Sequence, residues 1–249
     1  MSDWILGRVT RRTAWNATHI SLQIDCPGRP EFTAGQFVRV ALDIDGERVA
    51  RPYSCVNPPH EKGVEIYFNL VPEGPLSNAL GALQEGDPIW VSSRANGFLT
   101  LNEVPAQSRD LWMIATGTGI GPYLSILQTH EPWERFERVI LAYGVRELAT
   151  LAYPELLDRL LAQQPERLRL VPCVTAQDVG LGYHGRVTQA LLSGQLESLA
   201  ERDIDPGHSH FMLCGNAEMI RDMSEALKAR GLRKHLRREP GHISSEKYH

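Results

Sequence analysis

The sequence predicts two folded domains, an antiparallel β-barrel followed by a doubly wound parallel α/β sheet. Three observations carry this reading. The chain has 249 residues, long for one hydrophobic core and comfortable for two. Residues 1–102 read as short alternating strands with one helix, the pattern of a small barrel. From residue 109 the grammar changes to short apolar runs separated by helical stretches, which is how buried parallel strands and their crossovers read. The expected domains are therefore 1–102 and 109–249, joined by the polar, proline-containing stretch Asn102 to Arg109.

In chain order, His19 to Ile24 and Gln36 to Val40 alternate polar and apolar residues and are predicted as half-buried strands. Arg51 to Val56, Val64 to Val71 and Pro88 to Val91 follow, with turns at Pro27-Gly28, Asp45-Gly46, Pro58-Pro59 and Glu85-Gly86-Asp87. Leu76 to Leu83, behind Gly74-Pro75, is the helix. In the second half the strands are Leu111 to Ala115, Val139 to Tyr143, Leu168 to Val171 and His210 to Cys214. Helices are expected over Pro122 to Gln128, Pro154 to Gln163 and Ala217 to Arg230, the last closed by Gly231.

Composition excludes several function classes. A hydrophobic share of 42% and a charged share of 22% describe an ordinary globular chain, neither disordered nor membrane-embedded. The net charge of −4 gives no reason to expect nucleic acid or an anionic membrane as partner. No apolar run approaches the ~20 residues of a membrane helix. Met1-Ser2-Asp3-Trp4 shows no basic stretch leading into an apolar core, so a cytoplasmic location is expected. Cys26, Cys55, Cys173 and Cys214 lack metal-ligand spacing; reduced thiols and no metal site are expected.

Two motifs carry chemistry. On a strand, Arg51, Pro52, Tyr53 and Ser54 alternate faces, with Arg51 and Tyr53 on one side and Ser54 on the other. Arg neutralises a phosphate, an aromatic ring stacks on an isoalloxazine, and a hydroxyl reaches its reactive edge. A β-turn at Pro52 with a packed tyrosine fits the tetrapeptide equally well. Tyr67 lies on a following strand, and Gly74-Pro75-Leu76-Ser77 opens a helix whose first amides suit a pyrophosphate. Ser77 alone is explained as readily by a helix-cap role. The second motif, Gly117-Thr118-Gly119-Ile120-Gly121-Pro122, stands between a strand and a helix, where a glycine turn suits a dinucleotide. Proline in its last place fits the first helical turn. The next strand ends Tyr143-Gly144-Val145-Arg146, and a cation there favours a 2′-phosphate, hence NADP over NAD.

In this order, Arg-x-Tyr-Ser, Gly-x-Leu-Ser, Gly-Thr-Gly-Ile-x-Pro and Cys-Gly-Asn resemble the ferredoxin–NADP reductase family, and most nearly its bacterial ferredoxin/flavodoxin reductases. The likeness spans nearly the whole chain, from Ala34-Gly35-Gln36-Phe37 to the end after Lys234. It implies a six-stranded barrel holding FAD without a covalent bond. Arg51 would meet the flavin pyrophosphate, with Pro52 beside it. Tyr53 would stack on the ring and Ser54 sit at N5. Tyr67, Pro75, Leu76 and Ser77 would line the remaining FAD contacts, with Thr118 and the terminal Tyr248 and His249 added from the second domain. The resemblance assigns NADP to Val145, Arg146, Thr175, Arg186 and Cys214-Gly215-Asn216, with Cys214 against the nicotinamide. Packing alone also explains a buried Cys214.

Two departures stand out. Relatives carry an arginine after the third strand where this chain has Ala176, which narrows the expected preference for NADP. They also end in a tryptophan where this chain has His249, a smaller stacking surface. By the same resemblance Glu246 would be a proton or hydrogen-bond partner, and Tyr248 would lie over the ring face that nicotinamide must occupy. Lys228, Arg230, Arg233, Lys234, Arg237 and Arg238 form a basic cluster, either a helix end complementing its dipole or a docking face for an acidic carrier. The implied enzyme is a monomer passing electrons between NADP(H) and ferredoxin or flavodoxin. The alternatives are a flavin, quinone or ferric reductase on the same scaffold, a subunit of a larger dehydrogenase, and a catalytically silent flavin-binding module.

Overall fold

The computed structural model describes residues 3–178, 180 and 182–248. They form two compact units, Met1–Thr100 with Gly121–Thr129, and Leu101–Ile120 with His130–His249. The first unit contains β1 (Trp4–Ala14), β2 (His19–Asp25), β3 (Phe37–Ile44), β4 (Glu47–Ser54), β5 (Val64–Asn69), α1 (Pro75–Ala82) and β6 (Pro88–Ser92). Its strands form one antiparallel sheet in the order β4-β3-β6-β1-β2-β5. The sheet curls until its two ends meet. Cys55, next to β4, bridges Ile66 on β5, and the Val56 N–H donates to the Glu65 carbonyl at 2.9 Å.

Alternation gives the barrel its core: Leu22, Val38, Val40, Ile66, Ile89 and Val91 all point inward, and α1 adds Leu76 and Leu80. The long first strand was not foreseen. A bulge between Val9 and Arg11 breaks its period of two, and Arg8, Arg11 and Arg12 occupy its outer side. The helix that begins at the glycine turn, α2 (Gly121–Leu127), groups with this unit. All its residues are buried; the Ser125 hydroxyl donates to the Asn57 carbonyl (2.8 Å) and the Gln128 carboxamide to the Val56 carbonyl (3.1 Å).

The second unit runs β7 (Asp110–Thr116), α3 (Glu131–Arg135), β8 (Arg138–Val145), α4 (Pro154–Gln163), β9 (Leu168–Val174), β10 (Tyr183–His184), α5 (Val187–Leu192), α6 (Gln195–Ala200), β11 (Ser209–Asn216), α7 (Ala217–Ala229) and β12 (Ile243–Tyr248). Its six strands are all parallel, in the order β10-β9-β8-β7-β11-β12. From β7 the chain steps outward to β10, then returns to lay β11 and β12 on the other side. That reversal makes the carboxyl ends of β7 and β11 the topological switch point, where open α/β sheets bind ligands.

The central strands are covered on both faces, so Leu111 to Ala115 are wholly buried. Trp112 stacks on Phe211 with ring centres 5.4 Å apart. Residues Ile243–Tyr248 were not foreseen as a strand. They are a sixth strand, in register with β11 from Phe211↔Ile243 to Asn216↔Tyr248. No helix among the described residues is long and apolar enough to cross a membrane.

Candidate functional site

In the first unit the predicted flavin residues occupy β4, an end strand of the sheet, and the elements beside it. Arg51 is exposed and donates to the neighbouring Ala50 carbonyl at 2.8 Å, so most of its guanidinium fork is turned outward and fits an anionic phosphate. Pro52 is exposed as well, Tyr53 half-buried and Ser54 buried, so burial deepens along the strand toward Ser54 in place of the expected alternation. Tyr53 packs edge-on against Phe68 of β5, 5.8 Å between ring centres, and burial pushes its phenol up to about 12. It stays neutral at any working pH, as a stacking platform requires.

Tyr67 is buried and stacks on His19, so its ring already serves the barrel. Pro75, Leu76 and Ser77 form the first turn of α1, but Ser77 is not its cap. The cap is Gly74, without a side-chain bond; the Ser77 hydroxyl instead accepts from the Val71 N–H (3.0 Å) and donates to the Gly74 carbonyl (3.3 Å). It braces the turn that presents the helix start.

The predicted NADP residues, with Thr118 and Tyr248 expected at the flavin and Glu246 expected as a proton partner, lie far apart in sequence and come to one end of the parallel sheet. Thr118 is in the tight turn after β7, Val145 and Arg146 end β8, Thr175 follows β9, Arg186 follows β10, and Cys214, Gly215 and Asn216 end β11. Glu246 and Tyr248 close β12 on the same side. His249 lies outside the described residues. The loops after β8 and β9 are laced together: Thr175 and Ala176 donate from their amides to the Val145 and Arg146 carbonyls (3.2 and 2.9 Å).

At the switch point the loops after β7 and β11 touch backbone to backbone. A Cβ on Gly119 would stand 2.5 Å from the Cys214 carbonyl oxygen, and one on Gly215 only 2.3 Å from Thr116 Oγ1. Gly215 also holds φ +126°, a conformation side chains resist. These glycines let the two backbones pack in direct contact, whereas Gly117, at φ +54°, has open space where a Cβ would stand.

Asn216 departs from expectation in one respect. Its N–H donates to the Thr116 hydroxyl (3.0 Å), and its carboxamide oxygen caps α7 by accepting from the Glu218 and Met219 amides (2.8 and 3.1 Å). Its backbone amide is used within the fold instead of facing a ligand. Sequence reasoning passed over Thr116 and Tyr143. The Tyr143 hydroxyl donates to the Gly117 carbonyl (3.0 Å), fixing the glycine turn from below. A lone phenol inside the apolar run of β8 was the available signal.

Cys214 is fully buried. Burial raises its thiol well above the ordinary value, the nearby Glu246 carboxyl adds to the rise, and a hydrogen bond with the Tyr248 side chain opposes it. It is a neutral thiol at physiological pH, suited to packing and not to nucleophilic attack. Glu246 stands opposite it across the β11–β12 pair, and burial lifts its carboxyl to about 7. The other three cysteines are free and buried, their thiols pushed up to about 11 or 12 chiefly by burial. No cluster of potential metal ligands exists among the described residues.

The basic cluster is half spent internally. Arg230 pairs with Glu197 (2.8 Å), Arg233 with Glu239 (3.1 Å) and Arg237 with Glu103 (2.8 Å).

An antiparallel barrel with a phosphate-ready arginine, together with a parallel sheet whose switch point is cut for a dinucleotide, defines a two-domain redox enzyme that joins two nucleotide cofactors. Residues 8–96 match the oxidoreductase FAD-binding domain family and residues 113–225 the oxidoreductase NAD-binding domain family. Over its full length, and that of its relative, the chain is 44% identical to the flavodoxin/ferredoxin–NADP reductase of Escherichia coli strain K12. It is 34% identical to the ferredoxin–NADP reductase of Azotobacter vinelandii, covering 94% of this chain and 92% of that one. Its fold matches the crystal structure of a ferredoxin NADP+ reductase from Neisseria gonorrhoeae with bound FAD and NADP, at TM-score 0.93, 31% identity and 99% coverage of each chain. The chain belongs to the flavodoxin/ferredoxin–NADP reductase family. It is an oxidoreductase that works with FAD and NADP(H).

Proposed function

We propose that this protein passes electrons between NADP(H) and a one-electron carrier, ferredoxin or flavodoxin, with 1–102 as its FAD domain and 109–249 as its NADP domain. Bound FAD supplies the exchange between hydride chemistry and single-electron transfer. The protein's own residues bind and orient. Arg51 neutralises the pyrophosphate; Tyr53 offers the stacking face; Ser54 directs a hydroxyl to the N5 edge. Pro52, Tyr67, Pro75, Leu76, Ser77 and Thr118 complete the flavin contacts.

On the nucleotide side, Arg146 and Arg186 answer the 2′-phosphate, with Val145 and Thr175 beside them. Cys214, Gly215 and Asn216 flank the nicotinamide. The neutral Cys214 thiol sets that ring's plane, Glu246 holds or releases a proton near neutrality, and Tyr248 gates entry. Hydride transfer needs the reacting atoms ~3–3.5 Å apart, so the value of these groups is orientation. The observation that supports the reading most is the convergence of residues from β7 to β12 on one end of the parallel sheet. A cytoplasmic monomer completes the proposal.

Anaerobic titration of the purified protein with NADPH tests it. The yellow colour should bleach, then return on adding oxidised ferredoxin or flavodoxin. A protein that NADPH does not bleach is a silent flavin binder. NADPH should exceed NADH in kcat/KM, and a ratio near unity removes the proposed 2′-phosphate site. The internal pairing of Arg230, Arg233 and Arg237 favours a second reading, a reductase of small acceptors, because it reduces the cationic surface available to an acidic carrier. Carrier turnover insensitive to salt, with rapid quinone or ferric reduction, would support it.

A further inference from the structure

The terminal strand β12 lies at one end of its sheet. Beyond β11 it pairs, among the described residues, only through an isolated bridge from Lys234 to Ile243, and Ile243 alone among its residues is fully buried. An end strand with so little apolar burial sits low on the scale of local stability, so its position depends on what precedes it. The segment between α7 and β12 folds back on itself. His235 donates from its amide to the Ile243 carbonyl (2.8 Å), His242 to the Arg233 carbonyl (2.7 Å), and Leu236 and Glu239 exchange a pair of hydrogen bonds (3.0 and 2.9 Å).

Two side chains from this folded segment reach one carboxylate outside it. Glu103, in the helical turn Leu101–Glu103 ahead of β7, accepts at Oε1 from both Nε and Nη2 of Arg237 (3.0 and 2.8 Å). His235 Nε2 lies 3.6 Å from Glu103 Oε2. The Gly241 N–H points at His235 Nδ1 (3.3 Å), which assigns the imidazole proton to Nε2, facing Glu103. The Glu103 side chain is only 14% exposed, so the Arg237 guanidinium answers a largely desolvated charge, with His235 Nε2 close by but beyond hydrogen-bond length. The linkage continues inward. The His235 ring stands edge-on to His210, 5.8 Å away, and His210 Nε2 is 3.0 Å from the Ser244 hydroxyl on β12 itself.

We propose that Glu103 is a positioning residue for nicotinamide binding: by anchoring the folded segment before β12 it sets how firmly the terminal strand, and Tyr248 with it, is held. This rests on the reading of Tyr248 as the gate. When a ligand binds only the displaced form of a gate, its apparent affinity scales with the population of that form. Loosening the anchor therefore tightens apparent NADP(H) binding, the opposite of what simple damage to a binding site does.

Two measurements on the FAD-loaded protein test the proposal: hydrogen exchange of the β12 amides, and the NADP+ dissociation constant from absorbance titration. Glu103→Gln should speed exchange over residues 244–248 by about tenfold while exchange in β7 and β8 stays unchanged. It should lower the NADP+ dissociation constant several-fold, lowering KM for NADPH without raising kcat. Arg237→Gln removes the same bond from its exposed side and should give the same pattern, which covers failure of the first variant to fold.

In a Tyr248→Ser background, Glu103→Gln should still speed exchange but no longer change affinity. Unchanged exchange in both anchor variants, or faster exchange with unchanged affinity while Tyr248→Ser tightens binding, overturns the proposal. A Tyr248→Ser protein that binds NADP+ no more tightly than the parent instead overturns the gate. Exchange in Glu103→Gln then decides by itself whether the anchor exists.

Discussion

The two ends of the parallel sheet are built on opposite rules. At the amino ends, charge is answered inside the fold. Asp110 opens β7 with a fully buried carboxylate, both of whose oxygens accept from Arg202 Nε (2.9 Å each), while Arg202 Nη2 donates to Glu137 (3.0 Å). At the carboxyl ends, cations are left single. Arg146 and Arg186 are exposed and have no ion-pair partner among the described residues. Glycines there bring two backbones together where side chains would normally intervene. One end spends its polar groups on stability, and the other holds them for a ligand.

The sharpest way to break this contrast is to damage each end separately. Arg202→Ala leaves the buried Asp110 with only His208 beside it (Nδ1 to Oδ2, 2.9 Å), which should cost about 3 kcal/mol of stability. KM for NADPH should hardly move in the molecules that remain folded. Urea melts and steady-state kinetics on the same preparation separate the two effects, and a raised KM would mean that the ends are coupled. Gly215→Ala does the reverse. Its Cβ would overlap Thr116 Oγ1 (2.3 Å) and the Thr116 carbonyl oxygen (2.6 Å) at a strained φ. A strain of ~3 kcal/mol predicts about a hundredfold loss in kcat/KM for NADPH, with FAD content intact.

The same contrast explains which parts were legible in the sequence. β7 and β8 are buried on both faces and read as apolar runs, and the glycine turn after β7 is a local signal with a local cause. β12 was not legible, because Ser244, Ser245, Glu246 and Lys247 have no strand pattern of their own; β11, far earlier in the chain, supplies their hydrogen bonds. α2 was seen as a helix, but with every residue buried it has no amphipathic stripe to show which unit it packs in. The internal bonds of Ser77 and Asn216 were hidden for another reason. Hydroxyls and carboxamides serve backbone and ligand through the same atoms, and sequence does not show which claim is met first.

The barrel extends the comparison to the other cofactor. Among the described residues the Arg51 side chain bonds nothing beyond its neighbour's carbonyl, so Arg51→Ala should leave the melting temperature of the FAD-free protein unchanged. It should weaken FAD retention by ~1.5–3 kcal/mol, the worth of a charge-assisted contact, read by flavin release on dilution. A smaller step sharpens the nucleotide end. Ala176 is exposed beside Thr175, its amide bound to the Arg146 carbonyl (2.9 Å), so Ala176→Arg adds a third cation to a loop already in place. The ratio of kcat/KM for NADPH over NADH should rise about tenfold. No rise would show that the 2′-phosphate lies elsewhere.

Glu246 carries the smallest and most diagnostic effect, because burial holds back its charge at the ligand end and places its titration near neutrality. Its folded carboxyl titrates near 7, above the usual carboxylate value, so the folded state prefers the protonated form. The stability this gives is complete below the unfolded carboxylate range and is lost as pH rises from ~4.5 through 7. Linkage caps the loss at ~3 kcal/mol, and partial exposure of the side chain reduces it to roughly 1 kcal/mol. Glu246→Gln has no proton to lose, so its urea midpoint should change less between pH 5 and pH 8 than that of the parent. The inflection near pH 7 in kcat/KM for NADPH should vanish with it. If the variant keeps both the slope and the inflection, the titrating group is another residue, and Glu246 is a strand residue opposite Cys214 with no part in proton handling.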